Sequence, residues 1–197
     1  YGIDFAVDKR ALIPRPETEM IVEHTLSIVG NHSNARIVDV GTGCGTIAIS
    51  LAINLPNASL FATDISQDAL SLARSNSIRN GVHDRIDFVQ ADLLTCMRSF
   101  DVICANLPYL TTIETDTLIV GKHEPHIALD GGENGLNIIQ KMMSSAGNHL
   151  NNDGVLLMEF GNSSNAILEM ARCYFEYADY KLVPDLSGRP RMLQVIA

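Results

Sequence analysis

The sequence predicts an α/β protein built on a doubly wound, mostly parallel sheet of seven strands. Short apolar runs rich in β-branched residues alternate with segments of helical periodicity, which is typical of parallel strands joined by helices. The first clear run, Arg36–Val40, leads into three alternate glycines and then into a helical segment. Asp64, Asp92 and Asn106 come directly after later strands. Because ligands of such sheets bind at the carboxyl ends of the strands, these residues predict a single site there.

Length and composition are those of one globular domain with a real core. The 197 residues are 46% hydrophobic and 19% charged, and no apolar run reaches the roughly 20 residues of a membrane span. No signal-peptide pattern is present. The net charge of −9 argues against a broad nucleic-acid surface, because phosphate binding depends on Lys and Arg. The four cysteines lack C-x-x-C pairing, which indicates reduced thiols and predicts a cytoplasmic protein.

Residues 1–30 precede the central strand. Residues 1–13 alternate apolar and polar side chains around a central Asp-Lys, which predicts a short β-hairpin. Pro16 suits the first position of a helix, and Gly30 is expected to stop that helix. Its expected apolar stripe consists of Met20, Ile21, His24 and Ile28. A polar loop is predicted at residues 31–34.

The remaining elements alternate along the chain. After Arg36–Val40, strands are predicted at residues 58–63, 85–90, 100–105, 155–160, 180–184 and 191–196. Helices are predicted from the glycines to about residue 54 and at residues 66–80, 135–150 and 163–177. Residues 110–133 contain turn residues and charges, and are predicted to separate the strand at 100–105 from the helix at 135–150.

The glycine loop is the first ligand signal. It reads Asp39-Val40-Gly41-Thr42-Gly43-Cys44-Gly45. Glycine tolerates positive φ and lets a ligand approach the main chain closely, and the next helix contributes a weakly positive end. A dinucleotide-binding G-x-G-x-x-G would need glycine at Thr46. Asp39 would repel a pyrophosphate but suits the ammonium of a methionine moiety, so the loop resembles motif I of S-adenosylmethionine (SAM) dependent methyltransferases. A glycine-rich turn without a ligand is the alternative.

Two acids at strand ends extend this signal. Asp64 ends the second strand of the sheet, where a carboxylate can accept both ribose hydroxyls of a nucleoside. Asp92 ends the third strand and could accept the adenine amino group, with Leu93 packing on the ring. The alternatives are an acid that merely precedes a helix at position 64 and a plain loop acid at position 92.

The tetrapeptide Asn106-Leu107-Pro108-Tyr109 carries the most information about chemistry. It fits the N-[PIL]-P-[YFW] motif of methyltransferases that act on planar, conjugated NH₂ groups, whose nitrogen lone pair is delocalised. The Asn106 side-chain oxygen and the Leu107 carbonyl can each accept one N–H, which aims the lone pair at the methyl group and stabilises the growing positive charge. Pro108 stiffens the turn, and Tyr109 can pack against the flat group. An ordinary strand-end turn is the alternative.

With these segments, the chain resembles the HemK-type protein-(glutamine) methyltransferases, which modify peptide chain release factors. The resemblance runs from end to end through the segments LIPRPETE (12–19), DVGTGCG (39–45), ATD (62–64), QAD (90–92), NLPY (106–109), EPHIALDGGENGL (124–136) and DLSGRPR (185–191). The glycine motif occurs in many SAM enzymes. R-P-E-T-E and E-P-x-x-A-L-x-G-G are much narrower signals and carry the family resemblance.

The resemblance implies a Rossmann-like class I SAM-dependent methyltransferase domain over residues 31–197, with residues 1–30 as a hairpin and a lid helix. SAM is the expected cofactor, and the expected substrate is the glutamine side-chain amide in the Gly-Gly-Gln loop of a release factor. The expected cofactor contacts are Gly41, Thr42, Gly43, Cys44, Gly45, Asp64, Asp92, Leu93 and Asn106. The expected catalytic residues are Asn106, Leu107, Pro108 and Tyr109. The expected substrate contacts are Asn106, Pro108, Tyr109 and Arg15, the last lying over the pocket.

Two departures from the family pattern qualify this interpretation. The family usually has N-P-P-Y, and Leu107 replaces the first proline; rRNA adenine dimethyltransferases use N-L-P-Y, so the chemistry is expected to survive. The family also has an N-terminal helical domain that helps to bind the release factor, and the printed sequence has no counterpart. If that absence is natural, affinity for the usual partner should fall or the partner should differ.

Three functions therefore remain open: a glutamine methyltransferase, a methyltransferase for the exocyclic amine of adenine in RNA or DNA, and a SAM-binding module without catalysis. The acidic charge speaks against the second. We expect a monomer with no stable nucleic-acid partner and no membrane association. His123-Glu124-Pro125-His126 lacks a convincing further ligand, so no metal site is predicted.

Overall fold

A seven-stranded sheet forms the centre of the molecule. The computed structural model describes residues 2–30, 34–118, 121 and 124–197. The strands are β1 (Arg36–Val40), β2 (Ser59–Asp64), β3 (Ile86–Gln90), β4 (Phe100–Asn106), β5 (Leu150–Glu159), β6 (Asp179–Pro184) and β7 (Pro190–Ile196). The α-helices found in the described ranges are α1 (Glu19–Val29), α2 (Thr46–Asn54), α3 (Gln67–Arg79), α4 (Thr112–Thr117), α5 (Asn137–Ala146) and α6 (Ser164–Tyr174).

The strand order is β3-β2-β1-β4-β5-β7-β6. Strands β1 to β5 run parallel, and β7 is antiparallel to both β5 and β6. The chain proceeds outwards from β1 to β3 and then returns to place β4 on the other side of β1. Ligands of doubly wound sheets bind at such a reversal of strand order. Val40 lies opposite Ala105 in the register, so the glycine loop and Asn106 leave the sheet side by side.

Helices cover both faces of the sheet, and successive strand residues point to opposite faces. In β1, Ile37 belongs to the core shared with α1 and α2, whereas Val38 belongs to the core shared with α5 and α6. Both side chains are completely buried. The predicted doubly wound α/β fold is confirmed.

Several predicted boundaries shift. Strand β5 begins at Leu150, five residues earlier than predicted, because Leu150 pairs with Phe100 before an irregularity that includes Asp153 at a φ of 60°. The turn-like sequence Asn-Asn-Asp-Gly hides this extension. Helices α5 and α6 are shorter than predicted. The connection at residues 110–133 contains α4, whose capping box joins Thr111 and Glu114 and was not predicted.

The N-terminal prediction is partly wrong. Residues 2–13 contain no strand, so the predicted hairpin does not form there; its first residue and residues 31–33 of the predicted polar loop lie outside the described residues. The chain at residues 2–15, which we call the N-terminal strap, instead bonds to α3. The fully buried Asn76 accepts from Ala6 N at 2.8 Å and donates to Ala6 O at 3.0 Å and to Cys44 O at 2.9 Å. A side-chain amide thus satisfies main-chain groups that a hairpin would have paired.

Helix α1 is a core helix rather than a lid. A 3-10 turn at Pro16–Thr18 precedes it, and Gly30 ends it as predicted. Its buried residues are Ile21, Val22 and Thr25, so the predicted stripe is wrong at Ile28, which is 41% exposed. Thr25 contacts Cys104 of β4. None of the described helices is long and apolar enough to cross a membrane.

Candidate active site

A cavity of about 400 Å³ opens at the carboxyl ends of β1, β2 and β4. Most of the predicted site residues meet there. Its lining includes Gly41, Thr42, Gly43, Cys44, Asp64, Asp92, Leu93, Asn106, Leu107 and Pro108. The N-terminal strap closes one side with Arg10, Ala11, Leu12 and Pro14. Of residues 1–30, the strap and Thr18 of the 3-10 turn thus line the cavity, whereas α1 does not.

Hydrogen bonds to β2 hold the glycine loop. Gly41 N and Thr42 N both donate to Thr63 O, at 2.8 and 2.9 Å. Gly41 has a φ of 71°, and a Cβ there would lie 3.0 Å from Leu107 Cδ2. Glycine at this position therefore suits both the positive φ and the close approach of the glycine loop to the Asn106–Tyr109 turn.

Gly45 lies outside the cavity lining and has a packing role. Its φ is 90°, and a Cβ would meet Ile49 Cδ1 at 2.8 Å and Ala73 Cβ at 3.2 Å. The third glycine of the motif thus lets α2 and α3 approach each other. The sequence pattern alone could not separate this role from a cofactor contact.

Asp39 lies beneath the loop and does not line the cavity. Its Oδ2 accepts from Thr42 Oγ1 at 2.6 Å and from Ala48 N at 3.2 Å. Its Oδ1 is buried without a hydrogen-bond partner among the described residues. Burial raises the pKa of Asp39 to about 7. Asp39 therefore stabilises the glycine loop and the start of α2. It can affect ligand binding only through the position of the loop.

Asp64 and Asp92 lie at the cavity as predicted. Asp64 Oδ2 accepts from Gly43 N at 2.9 Å and its Oδ1 accepts from Ser66 N at 2.9 Å, while burial raises its pKa. Asp92 pairs with Lys141 of α5, a partner that sequence reasoning missed. Leu93 adopts a φ of 54°, which is unusual for a side-chain-bearing residue and is the kind of strain found at functional sites.

Asn106 lies where the large cavity meets a second cavity of about 200 Å³. Both cavities are lined by Asn106, Leu107 and Pro108. Tyr109 lines only the second one. The tetrapeptide therefore separates two adjoining spaces, one against the glycine loop and one against the Tyr109 ring.

A buried hydrogen-bond chain behind the tetrapeptide escaped the sequence analysis. Asn106 Nδ2 donates to Thr18 Oγ1 at 2.9 Å, and Thr18 Oγ1 donates to Glu159 Oε2 at 2.9 Å. The Tyr109 hydroxyl donates to Glu159 Oε1 at 3.3 Å. Glu159 ends β5 at the same edge of the sheet, so the strand-end rule that identified Asp64 could have found it.

The segment after residue 124 supports the tetrapeptide from outside. Gly131 N donates to Leu110 O at 2.8 Å, and a Cβ on Gly131 would lie 2.8 Å from Pro108 O. A Cβ on Gly135 would lie 2.4 Å from Tyr109 O. A turn follows Gly132, where Gly135 N donates to Gly132 O at 3.0 Å, and the glycines at 131 and 135 let two stretches of main chain touch.

Arg15 lines the second cavity rather than lying over the first. Its guanidinium pairs with Glu124 at 2.6 Å, and Glu124 also accepts from Ile13 N at 3.2 Å. Glu124 is only 7% exposed, so this ion pair ties the strap to the family-specific segment. Of the His-Glu-Pro-His group, His123 lies outside the described residues.

The fold is similar to that of known methyltransferases. A methyltransferase from Pyrococcus furiosus matches with a TM-score of 0.73 at 19% identity, over 100% of this chain and 89% of that chain. The N-terminal domain of human METTL16 in complex with SAH matches with a TM-score of 0.68 at 17% identity, over 98% of this chain and 75% of that chain. Residues 31–184 match the family model described as Methyltransferase domain. Fold and site thus define a methyltransferase.

The closer family follows from sequence relatives. The chain is 39% identical to the release factor glutamine methyltransferase of Koribacter versatilis (strain Ellin345), over 98% of this chain and 69% of the relative. It is also 39% identical to the enzyme of that name from Lactococcus lactis subsp. lactis (strain IL1403), over 96% of this chain and 70% of the relative. The chain belongs to the release factor glutamine methyltransferase family, which confirms the resemblance found in its sequence.

Proposed function

We propose that this protein transfers a methyl group from SAM to the glutamine side-chain amide in the Gly-Gly-Gln loop of a peptide chain release factor. The family membership supports this reaction. The observation that carries it is the position of Asn106. Its side chain lies at the junction of the two cavities. Its side-chain nitrogen donates to Thr18, so its side-chain oxygen is the atom left to orient a substrate amide.

The residues of the large cavity fit SAM. The Asp64 carboxylate, fixed against the glycine loop by Gly43 N, is suited to accept from ribose hydroxyls. Leu93 and Ile138 offer apolar surface for the adenine ring, next to Asp92. Gly43 leaves room above the loop, since a Cβ there would meet only Ala11 at 3.8 Å. We propose that these residues contact the cofactor. Gly45, in contrast, serves the packing of α2 against α3.

The second cavity suits the glutamine side chain. Arg15, Pro108 and Tyr109 line it together with Leu118 and Leu129. These groups can surround the methylene stem and the flat amide, while Asn106 faces the amide nitrogen at the inner end. In this proposed binding mode the substrate nitrogen lies at the junction with the large cavity.

Catalysis then depends mainly on orientation and electrostatics. Bound SAM supplies an electrophilic methyl group on a sulfonium. Asn106 Oδ1 and Leu107 O accept the two N–H groups of the substrate amide, which turns the nitrogen lone pair toward the large cavity and stabilises the positive charge that develops on nitrogen. Holding the reacting atoms in line contributes several kcal/mol of the barrier reduction. The methylated cation is acidic and loses its proton to water, so no strong general base is needed.

Tyr109 acts as a neutral group. Burial, reinforced by the neighbouring Glu159 carboxylate, raises the pKa of Tyr109 to about 12. The phenol therefore keeps its proton at physiological pH, donates to Glu159 and presents its ring to the substrate. We therefore assign Tyr109 no base role in the proposed reaction.

The reaction is tested by incubating the protein with labelled SAM and a release factor. Label is expected in the release factor and not in a matched variant whose loop glutamine is replaced by alanine. Equal labelling of both proteins would contradict the proposal. RNA and DNA in parallel reactions serve as controls, and label in nucleic acid would identify a different acceptor.

We further propose that residues 31–197 form the methyltransferase domain, with residues 1–30 packed on it, and that the protein is a cytoplasmic monomer. The four free cysteines and a substrate that acts in translation support the location. Size-exclusion chromatography with light scattering tests the monomer, and a dimer mass would overturn it.

A further inference from the structure

Asn106 is the first member of a buried hydrogen-bond chain that ends on a carboxylate. These hydrogen bonds join three elements: the carboxyl end of β4, the 3-10 turn at Pro16–Thr18, and the carboxyl end of β5. Thr18 and Glu159 are each only 4% exposed. Water therefore has little access to these groups, and each must find its hydrogen-bond partner within the protein.

The inventory of hydrogens fixes the direction of this chain. An ionised carboxylate accepts hydrogen bonds and donates none. The Thr18 hydroxyl has one hydrogen, which Glu159 takes, so toward Asn106 the hydroxyl can act only as an acceptor. Asn106 must then turn its NH₂ to Thr18 and keep Oδ1 for the substrate. The second carboxylate oxygen is occupied by the Tyr109 hydroxyl.

We propose that Glu159 is a positioning residue that sets the orientation of the Asn106 carboxamide through the Thr18 hydroxyl. This proposal rests on the proposed function. It adds a reason why the site selects a substrate that carries an NH₂ group. With the amide reversed, Asn106 would present its own N–H to the N–H of the substrate. The charge on Glu159 thus selects the productive one of two nearly isosteric rotamers.

The surroundings of Glu159 make its charge sensitive to pH. Burial raises its pKa, and the neighbouring Glu17 raises it further, while Thr18, Tyr109 and Arg191 oppose this rise. When pH falls through this raised pKa, the protonated carboxyl can donate to Thr18. The hydroxyl is then free to donate to Asn106 Oδ1, and the orientation is no longer fixed.

Variants of matched shape test whether the Asn106–Thr18–Glu159 hydrogen bonds orient the Asn106 amide. Glu159→Gln keeps size but can donate, and Thr18→Val keeps shape but removes the hydroxyl. Each is expected to lower kcat for release factor methylation about 10-fold or more, with the Kd for SAM changed less than about threefold. Thr18→Ser is expected to regain most of the activity that Thr18→Val loses. The double variant is expected to lose no more than the worse single variant, because both changes interrupt one chain.

A spectroscopic readout separates this inference from the proposed function. In the ¹⁵N–¹H spectrum of asparagine-labelled protein, the Asn106 side-chain NH₂ signals, assigned by their loss in Asn106→Ala, should shift as pH crosses the pKa of Glu159. The shift should vanish in Glu159→Gln and in Thr18→Val. An inactive wild type that still shows this titration would refute the proposed function alone.

Three results would overturn the inference: wild-type kcat in Thr18→Val, losses in the two single variants that multiply in the double variant, or Asn106 signals that do not respond to pH. Should Glu159→Gln fail to fold, the Thr18→Val and Thr18→Ser pair decides, since it leaves the carboxylate in place.

Discussion

Individual residues at this site have different roles from those that their motif suggests. Of three glycines in one loop, Gly41 allows close approach to Leu107, Gly43 leaves room beside Ala11 in the cavity, and Gly45 allows α2 to pack on α3. The Asn106 side-chain nitrogen is bonded to Thr18, which leaves its oxygen as the atom that our proposal assigns to the substrate. Residue type is therefore informative, but the neighbours decide which atom is available.

Asn106→Ala is expected to lower methylation by about 10²-fold or more while leaving SAM binding nearly unchanged, because an acceptor for the developing charge is removed. Labelled-methyl transfer gives the rate, and isothermal titration gives the Kd for SAM. A variant with near-wild-type turnover would show that the amide is oriented by other groups.

At the scale of elements, the cavity is assembled from segments that are far apart in the chain. The N-terminal strap covers one side without forming a strand, and Asn76 of α3 connects it to the main chain of the glycine loop. The Arg15–Glu124 ion pair ties the other end of the strap to the segment behind Pro108. Cavity closure thus depends on these few long-range contacts.

Asn76→Ala should loosen the strap, because it leaves the buried Cys44 carbonyl and the part-buried main-chain groups of Ala6 without their hydrogen-bond partner. We expect a loss of about 2 kcal/mol in the free energy of unfolding, and a Kd for SAM raised about 10-fold or more as strap contacts to the cavity weaken. Urea denaturation and calorimetric titration measure the two effects.

Asn80→Ala is the matched control, at the residue that caps the carboxyl end of α3, one turn after Asn76. Asn80 also donates to the strap, at Asp4 O, but at an exposed position, so both effects should be small. Equal changes in the two variants would argue against a special role for the hydrogen bonds that Asn76 makes with Ala6 and Cys44.

At the scale of the whole molecule, the site imposes a cost on stability. Burial raises the pKa values of Asp39, Asp64 and Glu159 above their ordinary values. A folded protein with such groups holds protons that the unfolded chain has lost. Its stability therefore falls as pH rises above the ordinary carboxyl range, and levels off only above the raised pKa values.

The pH range of this effect is clearest for Asp39. Its pKa of about 7 against an ordinary 3.8 means that stability declines from about pH 4 and levels off above about pH 7; the part of this decline between pH 5 and 8 is roughly 3 kcal/mol. Asp39→Asn should flatten this part of the profile and raise the free energy of unfolding at pH 8. Denaturation at several pH values measures it, with the exposed Asp87→Asn as the control; parallel profiles for wild type and Asp39→Asn would contradict the prediction.

The sequence by itself determined the features that depend on local pattern. Alternating strands and helices gave the doubly wound sheet, the residues that end β1 to β4 marked the site, and the narrow segments around residues 12–19 and 124–136 gave the family. It misled at residues 2–13, where alternation suggested a hairpin, because neighbouring residues carry no information about Asn76 on a distant helix.

Only the tertiary structure decided which side chains meet. Thr18 is 88 residues from Asn106 and 141 residues from Glu159 in the chain, yet the ends of β4 and β5 and the 3-10 turn before α1 bring all three together. The direction of a hydrogen bond depends on the whole set of donors and acceptors in a buried space. That set exists only once the strands and the N-terminal turn have packed together.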